Sequence, residues 1–393
     1  MMAPFSFTRN PRLNFGVGSF RKIPEHILAN GRTALLVTGR TSYKESPQFM
    51  ELMEMFRQQS IKHHHFTVQG EPSPEMVDAA VSKYQDKQID CVVAWGGGSA
   101  IDCGKAISAM LPMDESVVEY LEGVGSGKEH PGVKTPFIAV PTTAGTGSEA
   151  TENAVLSQIG PEGFKKSLRH TNFVPDIAVI DPALSVSCPS HATAACGMDT
   201  LSQLIESYVS SAASPLSENM AFSGIEHASK SLVYTVGDGC KDLSARSDMA
   251  YASFLSGICL SNTNLGVVHG IAGLIGGMFY IPHGVVCGSL LAVGMEKTIE
   301  KLQEKYPDGH SALEKFAKLG RLFSGKQKAN TDAACELFVE RLYEMTEELG
   351  LPLLGEYGIR ASDLEQIVKG SGNKNNPIHL DQEEMTEMLK KRL

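Results

Sequence analysis

The chain has 393 residues, of which 42% are apolar and 20% charged, and its formal net charge is −10. That length allows two domains with separate cores, and the acidic balance argues against nucleic acid or an anionic membrane as partner, since both select basic surfaces. No run of 18 apolar residues occurs, the segment MMAPFSFTRNPRLNFGVGSF lacks the apolar core of a secretion signal, and the eight cysteines form no CxxC, so free thiols in the cytoplasm are expected.

From the N-terminus, short apolar strands alternate with helical patterns. Thr33–Thr38 reads as a strand ending at Gly39, and 46–59 follows with helical spacing. His63–Val68 is a β-type run whose three consecutive histidines read as structural or surface, and Pro72 and Pro74 open the next helix. Cys91–Trp95, Phe137–Val140 and Ile177–Ile180 are further strands, each ending at Gly or before Pro or Asp-Pro. Continuous apolar strands between helices predict a parallel sheet covered on both faces. Beyond Pro182 the pattern becomes helical: 193–211, 217–234, 244–260, 311–322 and 331–349. The most apolar stretch, 265–293, is broken by His269, His283 and glycines, and reads as buried helical core. The expected organisation is an α/β domain over 1–185 and an all-α domain over 186–393.

Two loops carry chemistry. Gly96-Gly-Gly-Ser99 lies where a strand passes into a helix, so glycines admit a ligand to the backbone and the first helical N–H groups can bind a pyrophosphate. The GxGxxG fingerprint is not met, and a plain strand–helix turn is the bland alternative. Pro141-Thr-Thr-Ala-Gly-Thr-Gly-Ser-Glu149 places small donors at the end of another strand, where α/β sheets bind ligands.

The segments VVAWGGGSAIDCGKA, AVPTTAGTGSEAT, PDIAVIDPAL, CGMDTLSQLIESYVS and VVHGIAGLIGGMFYIPHG, with GEPSPEMV and NNP, resemble in content and order the iron-containing (group III) alcohol dehydrogenase family. That resemblance implies a dehydroquinate synthase-like fold: an N-terminal dinucleotide-binding domain, a helical metal and substrate domain, and hydride transfer between them. It also implies a small-molecule alcohol or carbonyl substrate and a homodimer or higher oligomer. Gly97, Gly98, Ser99 and Asp102 should surround the pyrophosphate and nicotinamide. Thr142, Thr143, Thr146 and Thr151 should line the cofactor, and Lys165 should reach its ribose.

The residue after the first strand bears on cofactor choice. An acidic side chain there would bind the adenosine ribose and repel a 2′-phosphate. Gly39 removes that repulsion and Arg40 offers a donor fork, which leans toward NADP over NAD; a solvated loop arginine is the alternative.

The resemblance further implies a divalent metal, Fe or Zn, on Asp199, His269 and His283, which also makes these the expected catalytic residues. Two positions depart from the family. Gln203, one turn after Asp199, stands where a histidine ligand is usual, and Gly273 where many relatives carry another histidine. Gln203 is expected either to join the ligand set or to hydrogen-bond to it, and a site that has lost its metal for a water network stays open. A dehydroquinate synthase-like lyase and a nucleotide-binding relative with a decayed centre are the rival functions.

Overall fold

The computed structural model describes residues 4–161 and 163–393; Met1, Met2 and Ala3 of the N-terminal segment lie outside them. Six parallel strands form the main sheet: β1 (Arg12–Phe15), β2 (Thr33–Thr38), β3 (Lys62–Thr67), β4 (Cys91–Gly96), β5 (Phe137–Pro141) and β8 (Ile177–Ile180), in the order β1-β8-β5-β4-β2-β3. β6 (Asn153–Gln158) and β7 (Phe164–Arg169) form a separate antiparallel pair. This hairpin and β1 were not expected from the sequence. β7 reads FKKSLR, with two adjacent lysines, and lacks the apolar run that marks the buried strands.

Helices cover both faces of the sheet. α1 (Ile23–Leu28) and α2 (Pro47–Gln58) pack Ile23, Ile27, Leu52 and Phe56 against Ala34 and Leu36. α3 (Pro74–Tyr84) and α4 (Gly98–Met110) pack Val77, Val81, Ile101 and Ile107 against Leu35 and Val37 on the opposite face. Alternate residues of β2 thus serve opposite cores, which is why its sequence is apolar throughout. Ser46 and Ser73 cap α2 and α3 through side-chain oxygens, each with proline at the first helical position. β2 is followed by a helix on one face and β4 by a helix on the other, so the chain ends of these neighbouring strands diverge and leave a crevice.

After β8 the chain is helical: α5 (Ser190–Val209), α6 (Pro215–Val236), α7 (Leu243–Thr263), α8 (Val267–Met278), α9 (His283–Lys305), α10 (Ser311–Ser324), α11 (Thr331–Glu348), α12 (Leu364–Gly370) and α13 (Gln382–Lys390). The apolar 265–293 stretch forms α8 and the start of α9, separated by a short break at which Tyr280 is 74% exposed. No single described helix is long and apolar enough to cross a membrane; α7 and α8 qualify only together, and they meet at 98°. All eight cysteines are free.

Candidate active site

The crevice between β2 and β4 holds the first loop. Gly97 is the N-cap of α4 and offers no side-chain cap, so the leading N–H groups of that helix are left for a ligand. The two glycine- and threonine-rich loops interlock: a Cβ on Gly97 would lie 3.2 Å from Thr143 Oγ1, and one on Gly98 would lie 2.6 Å from Thr146 Cγ2. Gly98 is therefore required for loop packing as well as for ligand approach. Thr142 joins the loops directly, its N–H donating to Gly96 O at 2.9 Å. Gly39, at the end of β2, faces Gly96 across the crevice; a Cβ on Gly96 would come within 3.3 Å of Gly39 N. Arg40 is exposed and makes no side-chain hydrogen bond or ion pair among the described residues.

Four expected cofactor residues have side-chain partners in the protein, among them Thr146, whose Oγ1 accepts from Ser148 N at 3.3 Å. Ser148 Oγ donates to Asp102 Oδ1, and burial raises the pKa of Asp102. Lys165 lies on β7, with Nζ 3.0 Å from Glu71 Oε2. Thr151 differs from its expectation. It is 4% exposed and its hydroxyl accepts from Lys105 Nζ at 2.9 Å, so it supports the second loop from behind. Lys105, to which the sequence reading gave no role, is 1% exposed. Its Nζ donates to the carbonyls of Ser148, Thr151 and Asn153 at 2.8–2.9 Å and to the hydroxyls of Ser148 and Thr151.

The second loop is tied to the helical region. Thr200 Oγ1, on α5, donates to Gly145 O at 2.9 Å. Its neighbour Asp199 begins the other polar cluster. Asp199, Gln203 and Glu206 fall four and three residues apart on α5, which puts all three on one face. Asp199 Oδ1 lies 3.3 Å from His269 Nε2 and 3.9 Å from His283 Nε2. His269 is in the first turn of α8 and His283 opens α9 after Pro282, so the break between these helices turns both rings toward Asp199.

Glu206 was missed by the sequence reading. Its carboxylate accepts from Val268 N at 2.7 Å and from His269 Nδ1 at 2.6 Å. It caps α8 from a neighbouring helix, since the N-cap, Gly266, has no side chain; a Cβ there would come within 2.7 Å of Glu206 Oε1. Cys287 was also missed. It lies one turn beyond His283 on α9, with Sγ 3.5 Å from both His269 Nε2 and His283 Nε2. The i, i+7 step from Asp199 to Glu206 and the i, i+4 step from His283 to Cys287 were the available signals.

This arrangement suits a cation. With its Nδ1–H donated to Glu206, His269 turns a lone pair on Nε2 toward the Asp199 carboxylate, and two acceptors at 3.3 Å need a proton or a metal between them. Gln203 Oε1 and His283 Nδ1 are buried without hydrogen-bond partners. Burial opposes charge on Asp199, but His283, His269 and Gln203 hold its carboxyl at about 2. Burial pushes the His283 imidazole down to about 3, which leaves the ring neutral with a lone pair to give. Burial also disfavours a charged His269, yet Cys287, Asp199 and Glu206 around it raise its pKa well above the usual histidine value. At Gly273, one turn after His269, an added Cβ would meet open space.

Comparison with known proteins shows which family the chain resembles. The family model for iron-containing alcohol dehydrogenase matches residues 10–182, and that for the C-terminal region of the Fe-containing alcohol dehydrogenase family matches 193–393. Long-chain-alcohol dehydrogenase 1 of Geobacillus thermodenitrificans is 35% identical over 88% of this chain and 82% of its own length. Alcohol dehydrogenase 4 of Saccharomyces cerevisiae is 30% identical over 96% and 95%. Among solved structures, 1,3-propanediol oxidoreductase superposes over 100% of both chains with a TM-score of 0.88 at 27% identity. The sulfoacetaldehyde reductase of Bifidobacterium kashiwanohense, solved with NAD+, covers 99% of both chains with a TM-score of 0.83 at 25% identity.

Proposed function

Because the chain belongs to the iron-containing alcohol dehydrogenase family, we propose a residue-level reading of its chemistry. The enzyme is an oxidoreductase that interconverts an alcohol and an aldehyde or ketone by hydride transfer with NAD(P). Neither the lyase reading nor that of a decayed nucleotide binder is favoured by these relatives.

In this reading the dinucleotide lies along the β2/β4 crevice. Its pyrophosphate meets the uncapped start of α4 at Gly97, Gly98 and Ser99, and Thr142, Thr143 and Thr146 line the opposite wall. Asp102 and Lys165 flank it, and Thr151 and Lys105 hold the wall in place from within. Gly39 and Arg40 favour NADP, since nothing acidic ends β2 and Arg40 has no partner among the described residues. If Gly39→Asp fails to weaken NADP relative to NAD, or if the parent strongly prefers NAD, that preference is wrong.

Asp199, His269 and His283 hold a divalent cation beside the nicotinamide end of the crevice, with the Gln203 amide against Asp199. Such a cation would polarise the substrate oxygen and lower the alcohol's pKa. The protein's part is to keep the donors ready. Glu206 fixes the His269 tautomer, burial keeps His283 neutral, and Thr200 anchors Asp199's helix to the cofactor loop. The observation that carries this reading is the convergence of donor atoms from α5, α8 and α9 at a point where acceptors face one another.

Chelation should abolish turnover while leaving dinucleotide binding largely intact, because the phosphate site is built on separate strands. Full activity in metal-free protein, with His269→Ala and His283→Ala both behaving like the parent, would remove the metal from the mechanism. The eight free thiols support a cytoplasmic setting. The edge strand β1, with Leu13 and Phe15 exposed, supports a homodimer.

A further inference from the structure

We propose that Cys287 is a thiolate ligand of the active-site cation, making up the donor lost where glutamine stands at position 203, and that the four-donor set Asp199, His269, His283 and Cys287 takes zinc. The inference rests on the metal reading above and goes beyond it in naming a ligand and a metal.

Three observations carry it. First, one potential ligand atom from each of these four residues lies within 4.8 Å of the others, and this is the one such cluster of histidine, cysteine and carboxylate donors among the described residues. Second, Cys287 Sγ is 3.5 Å from His269 Nε2 and 3.5 Å from His283 Nε2. The sulfur therefore faces both ring nitrogens at once, and a cation inside the triangle would meet all three donor atoms. Third, the spacing suits a small tetrahedral ion. Zinc about 2.3 Å from sulfur and about 2.0–2.1 Å from nitrogen or oxygen gives tetrahedral edges of about 3.6 Å for S···N and about 3.3 Å for N···O. Three of the edges match, at 3.5, 3.5 and 3.3 Å, the His283–Asp199 edge is longer at 3.9 Å, and all lie within 4.8 Å.

The donor chemistry narrows the metal. A thiolate beside two imidazoles and one carboxylate is too soft for magnesium or manganese and is characteristic of zinc. Cys287 loses its thiol proton to solvent as the metal binds, and two anionic donors then balance the dication. Zinc can expand from four to five ligands, which leaves room for a substrate oxygen. The amide of Gln203, neutral and a weaker donor, stays one turn from Asp199 on the same face of α5, outside the four-donor set.

The test uses the full-length protein stripped of metal and reloaded with cobalt(II), then with zinc. The expected cobalt spectrum shows visible ligand-field bands together with a near-ultraviolet thiolate-to-cobalt charge-transfer band. In Cys287→Ser the charge-transfer band should vanish, and zinc affinity should fall by at least about 100-fold, since even outer-sphere partners of metal ligands cost on the order of 10–100-fold. X-ray absorption at the zinc edge of the parent, which needs no variant, should find one sulfur neighbour. Ligand-field bands without a charge-transfer band, a band that survives Cys287→Ser, or a zinc shell without sulfur would overturn the role of Cys287 and leave the metal reading intact. If neither cobalt nor zinc binds the parent, both readings fall.

Discussion

Lys105 and Asp199 are both buried, on either side of the cofactor loop, yet the clusters around them are completed differently. Around Lys105 the chain supplies its own cation: one ammonium holds three carbonyls and two hydroxyls. Around Asp199, acceptors face acceptors and two polar atoms lack partners. A buried polar network whose cation is in place is scaffold, whereas one left short of a positive charge marks where a ligand belongs. The contrast separates Thr151, taken into the scaffold, from Thr143 and Thr146, which face the glycine loop.

The strongest way to break this contrast is to remove the internal cation. Lys105→Met should cost about 3–5 kcal/mol, because it strands Asp102, Glu149 and several carbonyls in a dry interior. Chemical denaturation should show the loss, and dinucleotide binding should weaken with it. A variant as stable as the parent would show that the ammonium is dispensable.

Glu149 tests the same network with pH. Burial raises its carboxyl to about 7, above the ordinary value of 4.5. Between those values the folded protein holds a proton that the unfolded chain has lost, so stability falls as pH rises through this window, by up to about 3 kcal/mol. Glu149→Gln should therefore be more stable than the parent above pH 7, with the gap closing as pH falls toward 4.5. A gap independent of pH would mean that Glu149 is charged throughout or that its proton is not linked to folding.

The smallest effect sharpens the other side. Glu206→Gln keeps shape and a carbonyl oxygen for His269 Nδ1 but removes the negative charge. It should weaken metal binding by on the order of 10–100-fold, about 1.4–2.8 kcal/mol. Unchanged affinity in a metal titration would reduce Glu206 to a helix cap.

The sequence was most legible where a local pattern decides the structure. Continuous apolar runs located β2, β4, β5 and β8, since a strand buried on both faces has no polar side to show. Glycines and threonines at strand ends located the crevice. The β6–β7 hairpin was not legible, because lysines on β7 obscure the alternation that would mark it. Among the site residues, Asp199, His269 and His283 were found through the resemblance, and the structure brings their donor atoms together. Glu206 and Cys287 belong to no motif, and their roles depend on how α5, α8 and α9 cross. Only three-dimensional packing sets a glutamate on α5 against the first turn of α8. Lys105 was quoted within a motif but had no visible purpose, because its five acceptors lie more than 40 residues away.

Glu206 has a consequence for the enzyme's handling. Its carboxylate closes the first turn of α8 whether or not a metal is held, since the bond to Val268 N does not depend on the ion. Withdrawal of the metal therefore does not release the end of that helix, and His269 waits in position with its ring already turned. The emptied protein should be a stable, storable form that regains activity when the ion is returned, without passing through an unfolded state.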